Sequence, residues 1–147
     1  MDYRFKLEAL RQYRSFQEES QQKEMAEARR LRDQEAAMLD ELTGLRVETE
    51  KDLKAQQQGC TTGSSLVIYH NYLNKLTSDI HVQKNKLADA EKHLDKKREA
   101  LLLAMQKRKT LDKLKEKDQK AYVENLNIEE EKFINEIAIN RFNAKHK

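Results

Sequence analysis

The chain has 147 residues and a formal net charge of +3; 37% of its residues are charged, only 6% are aromatic, and proline and tryptophan are absent. This composition excludes a thick globular core, because too few large apolar side chains are available to fill one. It is typical of long helices, in which charges of both signs surround a narrow apolar stripe.

A first helix is predicted from about residue 5 to about residue 58, with Asp2 as a candidate N-terminal cap. Gly44 alone interrupts it, at a cost of only about 1 kcal/mol in a helix interior. The best heptad track is apolar at its two ends and polar between Arg14 and Glu24. Its members are Leu7, Leu10, Arg14, Gln17, Gln21, Glu24, Ala28, Leu31, Glu35, Met38, Leu42, Leu45, Thr49 and Asp52. Five apolar residues lie off the track and indicate a register shift or a wider stripe: Phe16, Met25, Leu39, Val47 and Leu53.

Residues 59–65 form the only break and are predicted to be a loop. Gly59 suits the left-handed position that often ends a helix, and Ser64 or Ser65 suits the N-terminal cap of the next helix. The break predicts an antiparallel two-helix hairpin, in which the numbers of facing residues sum to roughly 124.

A second helix is predicted from about residue 66 to about residue 143. Mostly apolar positions recur every three or four residues over roughly eight heptads, which keeps one narrow seam on one side of the helix. The members are Leu66, Tyr69, Leu73, Leu76, Ile80, Gln83, Leu87, Ala90, Leu94, Lys97, Leu101, Ala104, Arg108, Leu111, Lys115, Asp118 and Tyr122. The seam needs a helical partner, so we predict an all-α protein, residues 1–147, built as a long antiparallel two-helix coiled coil. The polar stretch from Arg14 to Glu24 would face Leu101 to Leu111, which predicts a looser end or one that waits for a partner.

The second helix is predicted to extend about 25 residues, or roughly 40 Å, past the cover of the first. An apolar stripe on this extension has no cover from the chain: Leu126, Phe133 and Ile137, with Ile134, Ala138 and Phe142 beside them. Such a surface is typical of a contact site. A frayed terminus and a seam for self-association are the alternatives.

Residues 96–120 contain 10 basic and 4 acidic residues, which favours an acidic partner. Nucleic acid is disfavoured, because no aromatic residues alternate with the basic ones and acidic residues interrupt them. The N-terminus has no signal-peptide pattern, no apolar run is long enough for a membrane span, and Cys60 is the single cysteine, so no intrachain disulfide can form. These features predict a cytoplasmic protein without direct membrane insertion.

Motifs for catalysis are absent. The sequence has no phosphate-binding loop, no dinucleotide-binding fingerprint and no zinc motif, and its four histidines are far apart. Cys60 has no local base, and two paired helices offer no concave pocket. We therefore predict that the protein is not an enzyme and holds no cofactor or metal.

Both ends of the sequence carry family-like patterns. Phe5 to Arg11 matches an F-x-L-x-x-L start, followed by Glu/Gln-rich sequence. Leu111 to Lys117, Tyr122, and Asn135 to Ala138 are similar to an L-x-x-L-K-E…Y…E-x-K-x-x-D/N-E-I-A ending. Together with the length and the central break, these patterns resemble the FliJ family of the flagellar type III export apparatus over essentially the whole chain.

This resemblance implies a hairpin similar to the central stalk of rotary F- and V-type ATPases. It implies a place in the centre of the hexameric export ATPase FliI, promotion of ring assembly, and binding to the cytoplasmic domain of the gate protein FlhA. The regulator FliH and export chaperones are further implied partners. The implied location is the cytoplasmic face of the inner membrane at the flagellar base.

The resemblance also places two candidate surfaces. The ATPase-ring contact would be Leu126, Phe133, Ile137 and Phe142. The gate contact would be Leu42, Leu45, Tyr72 and Leu76, although the three leucines are also predicted seam positions, so a purely structural role is the alternative for them. A generic cytosolic coiled-coil adaptor, or the counterpart in virulence secretion, is the alternative function.

Overall fold

The chain forms two helices that pack against each other as a hairpin, which confirms the all-α hairpin with the longer second helix. The computed structural model describes residues 2–59 and 62–146. Helix α1 spans Glu8–Gln58 and helix α2 spans Gly63–Lys145. Residues 60 and 61 of the predicted loop lie outside the described residues.

Both helices begin differently from the prediction. Residues 2–7 are not helical, so Asp2 does not cap α1; instead the Glu8 amide donates to the Phe5 carbonyl at 3.2 Å. Helix α2 begins at Gly63, and its cap is Thr62, not Ser64 or Ser65, because the Thr62 hydroxyl accepts from the Ser65 amide at 3.3 Å. No glycine among the described residues has a positive φ, so the left-handed conformation predicted for Gly59 is not present.

Contacts divide the chain into two compact units. One unit, residues 20–102, contains the part of each helix next to the turn. The other unit combines residues 2–19 with residues 103–146, so it contains the start of α1 and the end of α2. In both units a segment of α1 packs against a segment of α2.

The predicted seam of α2 is confirmed. From Leu66 to Tyr122, all of its members except Asp118 are buried or half-buried. In the unit of residues 20–102, Leu76, Ile80 and Leu94 are no more than 4% exposed, and in the other unit Leu111 is 6% exposed.

Half of the predicted α1 track is wrong. The heptad position of Ala28, Leu42 and Thr49 is buried or half-buried as predicted. The alternate position is not, since Leu31, Met38 and Leu45 are 40%, 48% and 38% exposed. The seam instead uses the residues one step later: Met25, Arg32, Leu39, Arg46 and Leu53. Two neighbouring heptad positions of α1 are apolar, and packing against α2 decides which of them is covered.

The antiparallel pairing is seen separately in each unit. In the unit of residues 20–102, Lys97 bonds Glu24 at 3.0 Å, and the two residue numbers sum to 121. In the other unit, Arg11 bonds Asp112 at 3.3 Å, and the numbers sum to 123. Both sums are close to the predicted value.

Replacement of Gly44 by alanine should stabilise the protein. Gly44 lies in the interior of α1, and no atom lies within 4 Å of the position that an added Cβ would occupy. The gain should be about 1 kcal/mol, because alanine has the higher helix propensity and restricts the unfolded chain. Urea unfolding followed by circular dichroism measures it. Gly63→Ala, at the first residue of α2, is the control and should change stability less; a Gly44→Ala protein that is less stable than wild type would contradict this account.

Candidate interaction surfaces

Charged residues connect the start of α1 to α2 in the unit of residues 2–19 and 103–146. The guanidinium of Arg11 pairs with Glu8 at 2.7 Å and with Asp112 at 3.3 Å. Lys115 reaches the second oxygen of Glu8 at 3.2 Å. Glu8 is therefore held between one cation of its own helix and one of α2.

The same network continues along the seam. Arg108 pairs with Glu18 across the helices and with Asp112 at 2.6 Å along α2. Glu18 is only 8% exposed. Two carboxylates of the polar stretch that is predicted to form a looser end, or to wait for a partner, thus have cations of α2 beside them: Glu18 pairs with Arg108, and Glu24 pairs with Lys97.

The network shifts the pKa of several of its members. Hydrogen bonds from Arg11, and next from Lys115, lower the pKa of Glu8 to about 2 against a partial burial that opposes the shift. The carboxylates of Glu8 and Asp112 raise the pKa of Arg11, and the hydrogen bond to Glu18 raises the pKa of Arg108. These groups all remain charged at neutral pH.

Tyr3 fastens the segment before α1 onto α2. Its hydroxyl donates to Asp118 at 2.7 Å, and its ring lies against that of Tyr122, with centroids 5.4 Å apart. Burial, followed by the hydrogen bond to Asp118, raises the pKa of Tyr3 to about 12. This contact also gives a role to Asp118, the one exposed member of the predicted seam, because its carboxylate accepts the hydrogen bond from Tyr3.

Beyond Tyr122, α2 continues without cover. Every described residue from 123 to 146 is exposed, and the helical part of this segment, here called the overhang, is about 35 Å long. The predicted ring-contact residues all lie on it, with Leu126 43%, Phe133 63%, Ile137 38% and Phe142 63% exposed.

These four residues do not share one face. Leu126, Phe133 and Ile137 point within about 40° of one another, whereas Phe142 points about 160° away from Leu126. Phe142 contacts the ring of His146, with centroids 4.3 Å apart, and lines a shallow groove together with Ile134, Ile137 and Ala138, so Ile137 borders both sides. The sequence interpretation missed three exposed apolar residues of the overhang, namely Val123, Ile128 and Ile139, because they fall outside a single stripe.

The predicted gate-contact residues separate into two kinds. Leu76 is 3% exposed and Leu42 is half-buried, so both contribute to packing between the helices. Leu45 and Tyr72 are 38% and 41% exposed and are accessible to a partner. All four lie in the unit of residues 20–102.

The described part of the chain, residues 2–59 and 62–146, offers neither of two other kinds of site. Within it, no three His, Cys, Asp or Glu side chains come together in a group that could hold a metal ion. No helix of residues 2–59 or 62–146 combines the length and the apolar character that membrane crossing requires.

The family model described as the flagellar FliJ protein matches residues 3–147. No curated protein and no solved structure is significantly similar to the chain.

The ion pairs of Glu8 should make stability depend on pH. Because the pKa of Glu8 is lowered in the folded protein, its contribution is present above about pH 4.5 and is lost as the pH falls towards 2. Glu8→Gln should therefore lower the urea midpoint at pH 7, and the difference from wild type should shrink steadily as the pH falls from 4.5 through 2. Glu116→Gln, an exposed position with no ion pair among the described residues, is the control. A Glu8→Gln deficit of equal size at every pH would show that these ion pairs do not carry the effect.

Proposed function

Because the chain belongs to the FliJ family and so to the flagellar type III export apparatus, we propose that it acts there without catalysis, by connecting the export ATPase to the membrane gate. In this proposal the chain binds the hexameric ATPase of the FliI type, promotes assembly of its ring, and binds the cytoplasmic domain of a gate protein of the FlhA type. It works at the cytoplasmic face of the inner membrane, where a FliH-type regulator and export chaperones are its other partners. The flagellar family match favours this function over a virulence counterpart or a generic adaptor.

The overhang carries the ATPase part of the proposal. Its exposed apolar side chains point in directions that cover about 240° of the helix circumference. They are Val123, Leu126, Ile128, Phe133, Ile134, Ile137, Ile139 and Phe142. A helix that docks on one surface needs an apolar stripe on one side only, whereas apolar residues on several sides favour a helix surrounded by its partner. The centre of a ring is such a surrounding.

Leu45 and Tyr72 support the gate part of the proposal, since both are exposed and both lie in the unit next to the turn. Leu42 and Leu76 are given a supporting role, because covered side chains can hold the helices together but have little surface left for a partner. The proposal therefore assigns direct gate contact to one residue of each helix.

Removal of the overhang should abolish the effect of the chain on the ATPase. A chain that ends after Val123 keeps Tyr122 and its contact with Tyr3, so the hairpin should remain folded. Light scattering of the purified export ATPase, with and without this variant, measures hexamer formation. In the full-length chain, Phe133→Ser with Ile137→Ser should weaken binding to the ATPase at least 10-fold. The matched control is Val67→Ser with Ile68→Ser, two exposed apolar residues of the other unit. Full hexamer formation with the shortened chain would overturn the ring contact.

Tyr72→Ala and Leu76→Ala should behave in opposite ways. Tyr72→Ala removes an exposed ring, so helicity and stability should remain while affinity for the gate domain falls at least 10-fold, as measured by calorimetry. Leu76→Ala removes a buried side chain and should cost about 2–5 kcal/mol of unfolding free energy. Unchanged gate affinity of the Tyr72→Ala protein would remove this residue from the contact.

A further inference from the structure

One flank of the hairpin in the unit of residues 20–102 is apolar where a coiled coil is normally charged. Leu31, Met38 and Leu45 recur every seven residues and are 38–48% exposed. Each follows a seam residue by three positions and lies directly beside the seam. In a two-stranded coiled coil such flanking positions are usually Glu or Lys, because water covers them. We call these three residues the flank stripe.

The flank stripe makes α1 apolar at three positions instead of two in the heptads of residues 25–31 and 39–45, and between them Met38 lies beside the polar seam residues Arg32 and Glu35. Two apolar positions suffice for one helical partner, whereas three give a wider face, as found in helices that contact more than one neighbour. Helix α2 covers only the two seam positions. The third position is therefore open to a second neighbour.

Helix α2 borders the flank stripe with side chains of its own. Tyr72, 41% exposed, follows its seam residue Tyr69 by three positions, and in an antiparallel pair equivalent flanking positions lie on the same side. Farther out on α2, Ile68 and Val82 are 68% and 50% exposed, with Lys75 between them. The next two flanking positions of α2 are Asp79 and Lys86, which lie opposite Leu45 and Met38, whereas Tyr72 and Ile68 lie towards the turn. The two helices thus form a groove whose apolar floor comes from α1 and whose α2 edge mixes apolar and charged side chains.

The α1 edge of this groove is acidic. Glu41 and Glu48 each follow a member of the flank stripe by three residues and share its spacing of seven. Both are exposed, and neither makes an ion pair within residues 2–59 and 62–146. A ligand that lies in the groove therefore meets apolar side chains below it and two carboxylates along one side.

We propose that this groove is the docking site for an amphipathic helix of a partner protein, one whose apolar stripe has Lys or Arg along one edge. The spacing of seven residues fits a helix, since only a helix returns side chains to one line at that interval. From Leu31 to Leu45 the groove is about 21 Å long, which requires a partner helix of at least four turns. The acidic edge disfavours an anionic membrane or a nucleic acid as the occupant.

Two synthetic 22-residue helices test the charge preference. Both have leucines at heptad spacing; one has lysine along one edge of the leucine stripe, and the other has glutamate there. Fluorescence anisotropy with the full chain should show at least 10-fold tighter binding of the lysine peptide. This preference is informative because the whole chain carries a net charge of +3, which by itself favours the glutamate peptide.

Variants locate the binding. Glu41→Lys with Glu48→Lys should reverse the preference between the peptides. Asp33→Lys with Asp40→Lys makes the same change of charge on the other flank of α1 and should leave the preference as in wild type. Leu31→Gln with Met38→Gln should weaken binding of the lysine peptide at least 10-fold, whereas Val47→Gln, at a residue 43% exposed on the other flank, should not.

Three results would overturn the docking site: equal affinity for both peptides, loss of binding in the Asp33 and Asp40 variant, or a dimer of the chain that dissociates when Leu31 and Met38 are replaced. The last result would assign the groove to a second copy. Circular dichroism of every variant confirms that helicity is kept. Leu45 and Tyr72 belong both to this groove and to the proposed gate contact, whereas Leu31 and Met38 belong to the groove alone. Loss of peptide binding in the Leu31 and Met38 variant with unchanged affinity for the gate domain therefore distinguishes the two sites.

Discussion

Everything in this molecule depends on one narrow apolar seam on α2 that must be covered by another helix. Among the described residues only six apolar side chains are buried, and they are Ala28, Leu53, Leu76, Ile80, Leu94 and Leu111. With so few buried side chains, no part of the chain is stabilised by a thick core. Each paired turn of α2 is stabilised by the turn of α1 that packs against it. Where α1 is absent, beyond Tyr122, α2 has nothing to bury its apolar residues against. The overhang is therefore a direct consequence of the unequal lengths of the two helices.

Polar pairs within the seam decide how the helices align. In the unit of residues 20–102, the Gln83 side chain donates to the backbone carbonyl of Glu35 at 3.0 Å and to its carboxylate. In the other unit, Glu18 and Arg108 meet at a buried position. Such pairs add little net stability compared with apolar residues, but an incorrect register would leave their charges and amides without partners. Alignment fixes which residues remain outside the seam, and so it fixes both proposed contact surfaces.

The sequence was sufficient to predict α2 because its heptads contain one apolar line. It was insufficient for α1, where Leu31, Met38 and Leu45 form a second line beside the first, and periodicity alone does not distinguish a covered line from an open one. The caps were misplaced for a related reason. Thr62, Ser64 and Ser65 are all competent caps, and the choice depends on where the chain turns. Likewise the sequence around Tyr3 does not predict its contacts, because its partners Asp118 and Tyr122 are more than a hundred residues away along the chain.

The error in the α1 register is itself informative about function. A heptad pattern predicts burial, and natural coiled coils rarely keep a regular line of Leu and Met in water. When such a line of side chains is exposed in the structure of the single chain, the pattern still indicates burial. The contact that buries these side chains then has to come from another molecule. The overhang and the flank stripe meet this condition in different ways: the overhang is apolar on several sides, and the flank stripe is apolar on one side with an acidic edge. They therefore call for different partners, one that surrounds a helix and one that lays a basic amphipathic helix along it.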